Sequence, residues 1–108
     1  MKPNLNEMLK QFQKLQNEIQ KFQEEIGNRT LTVETGGGIV KVTINGRKEI
    51  TSIEISPEII NPEEKEMMED LIISGVNKAI REMNELYEQE MSKITKGMIP
   101  PGFNLPGL

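Results

Sequence analysis

The fold is decided by the stretch TLTVETGGGIVKVTINGRKEITSIEI, residues 30–55, in which three short segments are separated by two glycine-containing turns. Apolar and polar residues alternate in each segment, and a period of two is typical of strands with one buried and one solvated face. The stretch therefore predicts a three-stranded antiparallel meander, with strands at residues 30–35, 39–44 and 49–55. The residues predicted to face the core from the first two strands are Leu31, Val33, Val40, Val42 and Ile44.

The two turns carry different signals. Gly36-Gly37-Gly38 suits a strand connection that needs backbone conformations open to glycine. It is not a phosphate-binding loop, because no Gly-Lys-Ser/Thr ending follows and no helix begins there. Asn45-Gly46 predicts a type I′ hairpin turn, since both central residues of that turn have positive φ. In the third strand, Ile50 breaks the alternation, which indicates either a β-bulge or a contact at the lower rim of the sheet.

A long helix is predicted before the strands, over residues 5–26. Its apolar residues recur in steps of three and four, the heptad pattern of a helix that packs lengthwise against another helix. Gly27-Asn28 is a suitable end for this helix. A groove for an apolar ligand is the alternative use of such a seam. The residues predicted to form the dimer or helix interface are Leu5, Met8, Phe12, Leu15, Ile19, Phe22 and Ile26.

A second long helix is predicted after the strands. Asn61 suits the N-cap and Pro62 the first helical position, and the apolar stripe continues to Lys96, with Gly97 expected to end the helix. The Pro- and Gly-rich residues beyond it are expected to form an extended tail, either docked or free. The fold class is thus α+β, ordered α-β-β-β-α, with one domain at residues 1–97 and a tail at 98–108.

Composition limits the possible functions. The chain has 108 residues, of which 35% are hydrophobic and 4% aromatic, so we expect self-association to supplement a thin core. Neither cysteine nor histidine is present, which excludes disulfides, thiolate metal sites and imidazole bases. Neighbouring carboxylates such as Glu24-Glu25 point about 100° apart on a helix and are expected to be solvated. We predict no catalytic residue, metal or cofactor, and no enzyme activity.

The chain also lacks the sequence features of export and membrane insertion. Its first residues do not resemble a signal peptide, and its apolar runs are too short to cross a membrane. A cytoplasmic location without membrane contact is therefore expected.

The net charge of −4 is unevenly distributed. Residues 1–48 carry eight Lys/Arg and five Glu, whereas residues 49–108 carry five Lys/Arg and twelve Asp/Glu. The basic part suits an anionic partner, and without an aromatic platform phosphate contacts are favoured over stacking on single strands. Ordinary solubilising surface is the alternative. The residues predicted to contact DNA are Lys10, Lys14 and Lys21, opposite the apolar seam, together with Arg47, Lys48, Lys93 and Lys96.

Six segments carry a family resemblance: MLKQ (residues 8–11), GGIVKVTING (37–46), IEISP (53–57), EDLI (69–72), VNKA (76–79) and GMIPPGF (97–103). In this order they resemble the YbaB/EbfC family of nucleoid-associated proteins over essentially the whole chain. The resemblance implies a homodimer with joined sheets and projecting helical arms. It also implies binding to double-stranded DNA at the nucleoid and a role in nucleoid organisation or gene regulation. An adaptor that presents its apolar arms or tail to another protein is the alternative.

Overall fold

The computed structural model describes residues 4–98, which form a three-stranded sheet and two long helices. The elements are α1 (Leu5–Gly27), β1 (Thr30–Thr35), β2 (Val40–Asn45), β3 (Ile50–Ile55) and α2 (Lys65–Met98), with 3₁₀ turns at Pro57–Ile59 and Pro62–Glu64. The strands are antiparallel in the order β1-β2-β3. The predicted α+β class and meander are confirmed. The predicted tail, apart from Met98, lies outside the described residues.

Asparagine side chains begin both helical segments. The Asn4 side chain accepts a hydrogen bond from the backbone N–H of Asn6, which would otherwise be unpaired, and a second from Glu7, whose N–H also donates to the Asn4 carbonyl oxygen. Asn61 accepts in the same way from the N–H of Glu64, at 3.0 Å. The predicted cap at Asn61 is thus confirmed, but the first turn after it is 3₁₀ and the α-helix begins at Lys65. The predicted end at Lys96 is wrong by two residues, because α2 continues through Gly97 to Met98.

The core lies between α2 and the inner face of β1 and β2. Gly75 brings α2 close to the sheet, since a Cβ at this position would lie 2.8 Å from the Val42 side chain. The Thr35 hydroxyl donates a hydrogen bond to the Leu71 carbonyl oxygen at 2.9 Å, which ties the sheet edge to the helix. The buried residues of this core are Val33, Val40, Val42, Ile44, Ile59, Ala79 and Met83.

The bulge in β3, one of the two alternatives for Ile50, is confirmed. Thr43 of β2 pairs with Ser52, whereas the next residue, Ile44, pairs with Ile50. Thr51 is therefore the extra residue, and its insertion returns Ile50 to the inner face beside the buried Ile44.

The predicted type I′ turn at Asn45-Gly46 is wrong. Neither residue has positive φ, and the left-handed residue of the turn is Lys48, with φ 65°. The Lys48 N–H donates to the Asn45 carbonyl oxygen, while the Asn45 side chain accepts from the N–H groups of Arg47 and Glu49. Gly46 is needed for another reason: a Cβ there would overlap the carbonyl oxygen of Ile26 at the end of α1.

Candidate nucleic-acid interface

Both helices and the β2–β3 turn meet at one end of the sheet, around a pair of aromatic rings. Phe22 of α1 packs edge-on against Tyr87 of α2, with ring centroids 5.2 Å apart. The Lys48 ammonium lies 4.9 Å from the centre of the Tyr87 ring, within the range of a cation–π contact. From this junction the N-terminal part of α1 and the C-terminal part of α2 continue side by side. We call residues 5–22 and 87–98 the arm; the molecule is 73 Å long and only 24 Å by 16 Å across.

Three of the predicted DNA-contacting residues lie in a row on α1. Lys10, Lys14 and Lys21 are exposed on one side of α1, and Lys21, at the inner end of the row, also borders the cleft toward α2. Among residues 4–98, none of the three forms an ion pair. At 1.5 Å per residue, Lys10 and Lys14 are about 6 Å apart along the helix axis, and the whole row spans roughly 17 Å. The row therefore presents three uncompensated positive charges to solvent.

The cations at the junction are partly neutralised. Arg47 Nε lies 3.2 Å from a carboxylate oxygen of Glu49, and Lys93 Nζ lies 3.1 Å from one of Glu90. Arg29, which follows α1 and escaped the sequence analysis, reaches the same Glu90 oxygen at 3.7 Å. Its position directly after the helix-ending Gly27-Asn28, at the same end as the β2–β3 turn, is the signal that could have identified it.

A shallow cleft of about 240 Å³ between the two helices brings Lys21 and Lys93 together. Glu18, Glu25 and Glu90 line the same cleft, so its charge is mixed. Lys96 lines a second depression on α2, together with Lys93 and the acidic Glu85 and Glu88. The seven predicted residues therefore do not form one patch. They divide into the lysine row on α1, the junction group of Arg47, Lys48 and Lys93, and Lys96 farther out on α2.

The opposite end of the sheet is acidic. There the Gly36-Gly37-Gly38 turn has positive φ at all three residues, as predicted, and Gly36 packs closely against Leu71 near the start of α2. Residues 58–70 contain six carboxylates and one lysine. From Leu71 to Tyr87 the helix rises about 24 Å. A polyanion is therefore expected to approach the arm rather than this end.

The structure divides the apolar seam of α1 into two halves. Phe22 and Ile26 are buried beside α2, and Leu15 and Ile19 are half-buried. The N-terminal half is bare: Leu5, Met8 and Phe12 are 71%, 54% and 58% exposed, and the neighbouring Leu9 is 51% exposed.

A second exposed apolar surface escaped the sequence analysis. Lys78 of α2 reaches the Glu34 carbonyl oxygen in β1, so the opposite side of the helix, with Ile73 and Ile80, lies toward β3. These two residues are 59% and 38% exposed, and Ile53, on the inner face of β3, is 42% exposed. We call Ile53, Ile73 and Ile80 the β3-side patch. Its apolar residues remain exposed because α2 packs mainly over β1 and β2, so that only Ile50 and Ile55 of β3 are half-buried against the core.

Comparison with known proteins identifies this arrangement. The model of the YbaB/EbfC DNA-binding family matches residues 1–98. The chain belongs to this family. Its relatives include a nucleoid-associated protein of Pelotomaculum thermopropionicum, 46% identical over 99 residues, which are 92% of this chain and 94% of the relative. Another, from Desulforamulus reducens, is 47% identical over 105 residues, or 97% and 95% of the two chains.

The fold of this YbaB/EbfC chain also matches a solved structure. A crystal structure of an uncharacterized protein from Helicobacter pylori superimposes with a TM-score of 0.76, covering 86% of this chain and 98% of that chain at 20% identity. Within residues 4–98, no helix is long and apolar enough to span a membrane. The same part of the chain contains no group of three or more acidic side chains placed to bind a metal ion.

Proposed function

We propose that this protein is a cytoplasmic homodimer that binds double-stranded DNA mainly through its phosphates and contributes to nucleoid organisation or gene regulation. Family membership and the names of the relatives support DNA as the partner. The observation that carries the phosphate contacts is the lysine row on α1, because its three charges are exposed and form no ion pairs among the described residues.

The spacing of the row suits a duplex backbone. One strand rises about 3.4 Å per phosphate and turns around the helix axis as it rises, so neighbouring phosphates are roughly 7 Å apart, close to the separation of about 6 Å between Lys10 and Lys14. Lysine side chains are long and carry mobile point charges, which tolerate the remaining mismatch. Contacts of this kind hold the backbone without reading bases, so weak sequence preference is expected.

The negative net charge does not prevent this mode of binding. The acidic segment at residues 58–70 lies about 24 Å along α2 from the junction, whereas the Debye length at physiological salt is about 8 Å. Its repulsion of a duplex held on the arm is therefore largely screened. The lysine at the junction, Lys48, adds a positive charge that its contact with Tyr87 positions but does not neutralise.

Dimerisation is proposed to use the open edge of β3 and the β3-side patch. Within the described residues, β3 pairs only with β2, so its outer edge offers unpaired backbone groups to a further strand. A second copy that pairs there joins the two sheets and covers Ile53, Ile73 and Ile80 from both chains. Burial of such apolar surface is the main source of stability in a dimer of small subunits.

The function is tested by fluorescence anisotropy of a labelled duplex titrated with the protein over a series of salt concentrations. We expect the logarithm of the binding constant to fall steeply and linearly with the logarithm of salt concentration. A duplex of unrelated sequence is expected to bind with similar affinity. Absence of binding at low salt would refute DNA as the partner, and a nearly flat salt dependence would refute phosphate contacts.

The adaptor function remains the second candidate, since the bare half of the α1 seam is the kind of apolar surface that a partner helix covers. An adaptor needs Leu5, Met8 and Phe12 for partner capture and does not need the lysine row. Replacement of Phe12 by Ser is then expected to abolish capture of the partner while DNA binding persists. Partner capture that is unchanged in this variant would refute an adaptor function through this surface.

A further inference from the structure

The bare half of the α1 seam extends past the end of α2: Phe12 lies opposite the last residues of α2, and Met8 and Leu5 lie beyond them. The two helices run in opposite directions past the Phe22–Tyr87 pair. From that pair, α1 continues for 17 residues to Leu5 and α2 for 11 residues to Met98. At 1.5 Å per residue these lengths are about 26 Å and 17 Å, so α1 extends roughly 9 Å farther.

The exposed residues continue the same seam that packs against α2. Phe22 is buried, Ile19 and Leu15 are half-buried, and Phe12 and Met8 are more than half exposed. Because the heptad pattern keeps these residues in one stripe, the bare part faces the path that α2 would follow if it were longer. The chain leaves α2 at the start of this path.

The chain that follows has the chemistry to occupy it. Residues 99–108, IPPGFNLPGL, contain four apolar side chains larger than proline and no charged residue. Pro100 and Pro101 prevent α2 from continuing as a helix and favour a polyproline II backbone. Such backbones bind well to apolar grooves that contain aromatic side chains, as Phe12 would provide here.

We propose that residues 99–108 fold along the bare half of the α1 seam of the same chain and cover Met8 and Phe12 with Phe103 and Leu105. The five residues from Met98 to Phe103 span about 15 Å when extended, which is more than the roughly 5 Å from the end of α2 to Met8, so the segment must turn back, at Gly102, to bring Phe103 over Met8. Met8 and Phe12 would then be covered by the chain's own C-terminal segment and would not be exposed to other molecules.

Attachment to the same chain favours this segment over other occupants. A segment joined through a short linker has an effective concentration in the millimolar range, whereas a second copy or a partner protein competes at its free concentration. Because the segment contains no charged residue, its docking does not require the desolvation of a charged side chain. Docking of this segment at the tip of the arm does not depend on DNA binding.

Paramagnetic relaxation in the full-length protein tests the proposal. The chain has no cysteine, so an Asn104→Cys variant accepts a nitroxide spin label at one site only. The measured probes are ¹³C-labelled methionine methyl groups, with Met8 near the proposed contact. Met67, which is 40% exposed at the start of α2, serves as the distant reference. We expect Met8 to lose most of its signal and Met67 to keep it.

Two further samples separate this docking from other contacts. Phe103→Ser in the spin-labelled variant is expected to restore the Met8 signal, whereas Gly107→Ser, a matched change in the same segment, is expected to leave it broadened. Both positions lie outside the described fold, so a fold change is not expected. A mixture of spin-labelled chains and separate ¹³C-labelled chains detects docking between copies. The proposal is overturned if Met8 is unaffected, if Phe103→Ser leaves the broadening intact, or if broadening requires a second copy.

Discussion

Neutralisation of Lys10 and Lys14 gives the sharpest test of how DNA would bind. The two residues lie one helical turn apart on the exposed side of α1, and neither forms an ion pair within residues 4–98. Their replacement by Gln therefore removes two charges without breaking an observed salt bridge. Gln also keeps a high helix propensity, so α1 is expected to remain intact.

The expected size of the effect follows from counterion release. Each phosphate contact contributes about −0.9 to the slope of log K against log salt concentration. Loss of both lysines should make the slope shallower by about 2 if one arm engages the duplex, and by about 4 if the arms of both subunits do. At 0.1 M salt, the loss through one arm corresponds to a roughly 60-fold weaker binding constant.

Anisotropy titrations at four or more salt concentrations measure both quantities. The control is Lys65→Gln with Arg81→Gln, which makes the same charge change on the part of α2 that lies outside the arm; Lys65 loses only an exposed pair with Glu69, and Arg81 forms no ion pair within residues 4–98. We expect its slope to match that of the unchanged protein. Equal slopes for the Lys10/Lys14 variant and the unchanged protein would refute phosphate contacts by the row, and equal losses in variant and control would show that only net charge matters.

Three further changes test the interface and the fold. Ile73→Glu should convert the dimer to a monomer in sedimentation experiments at micromolar concentration, whereas Ser74→Glu, an exposed neighbour on another side of α2, should not; an unchanged dimer would exclude this patch. Gly46→Ala should lower the free energy of unfolding in urea by more than about 3 kcal/mol, since its Cβ overlaps the Ile26 carbonyl oxygen. Gly37→Ala, with open space but φ 70°, should cost only about 1–2 kcal/mol, and equal losses at both glycines would contradict this reasoning. Met83→Ala should cost about 2–5 kcal/mol by leaving a cavity in the core, measured by the same urea titration.

Sequence periodicity was sufficient for features that depend on neighbours along the chain. The alternation in residues 30–55 predicted the meander and indicated the irregularity at Ile50, because period and parity assign side chains to faces before any packing is known. The heptad pattern likewise predicted that one stripe of α1 is apolar. The family resemblance was confirmed over residues 1–98.

Features that depend on distant neighbours were missed or misread. Asn45-Gly46 looked like a type I′ turn, yet the glycine is there because the end of α1 passes directly over it. The exposure of Ile73 and Ile80 was invisible as well, since it follows from the position of α2 over β1 and β2 rather than β3. The grouping of the basic residues also depends on distant neighbours, because the folded chain brings Arg29 to Glu90 and Lys21 to Lys93.

The sequence by itself determined the order of elements, the apolar face of each and the uneven distribution of charge, because these properties follow from local spacing and composition. Only the tertiary structure decided which apolar surfaces stay uncovered and which charges stay uncompensated. Helix lengths leave the tip of α1 beyond the end of α2, and the packing of α2 leaves β3 open. A side chain stays exposed only where no distant segment of the chain packs against it, so its exposure cannot be predicted from the local sequence pattern.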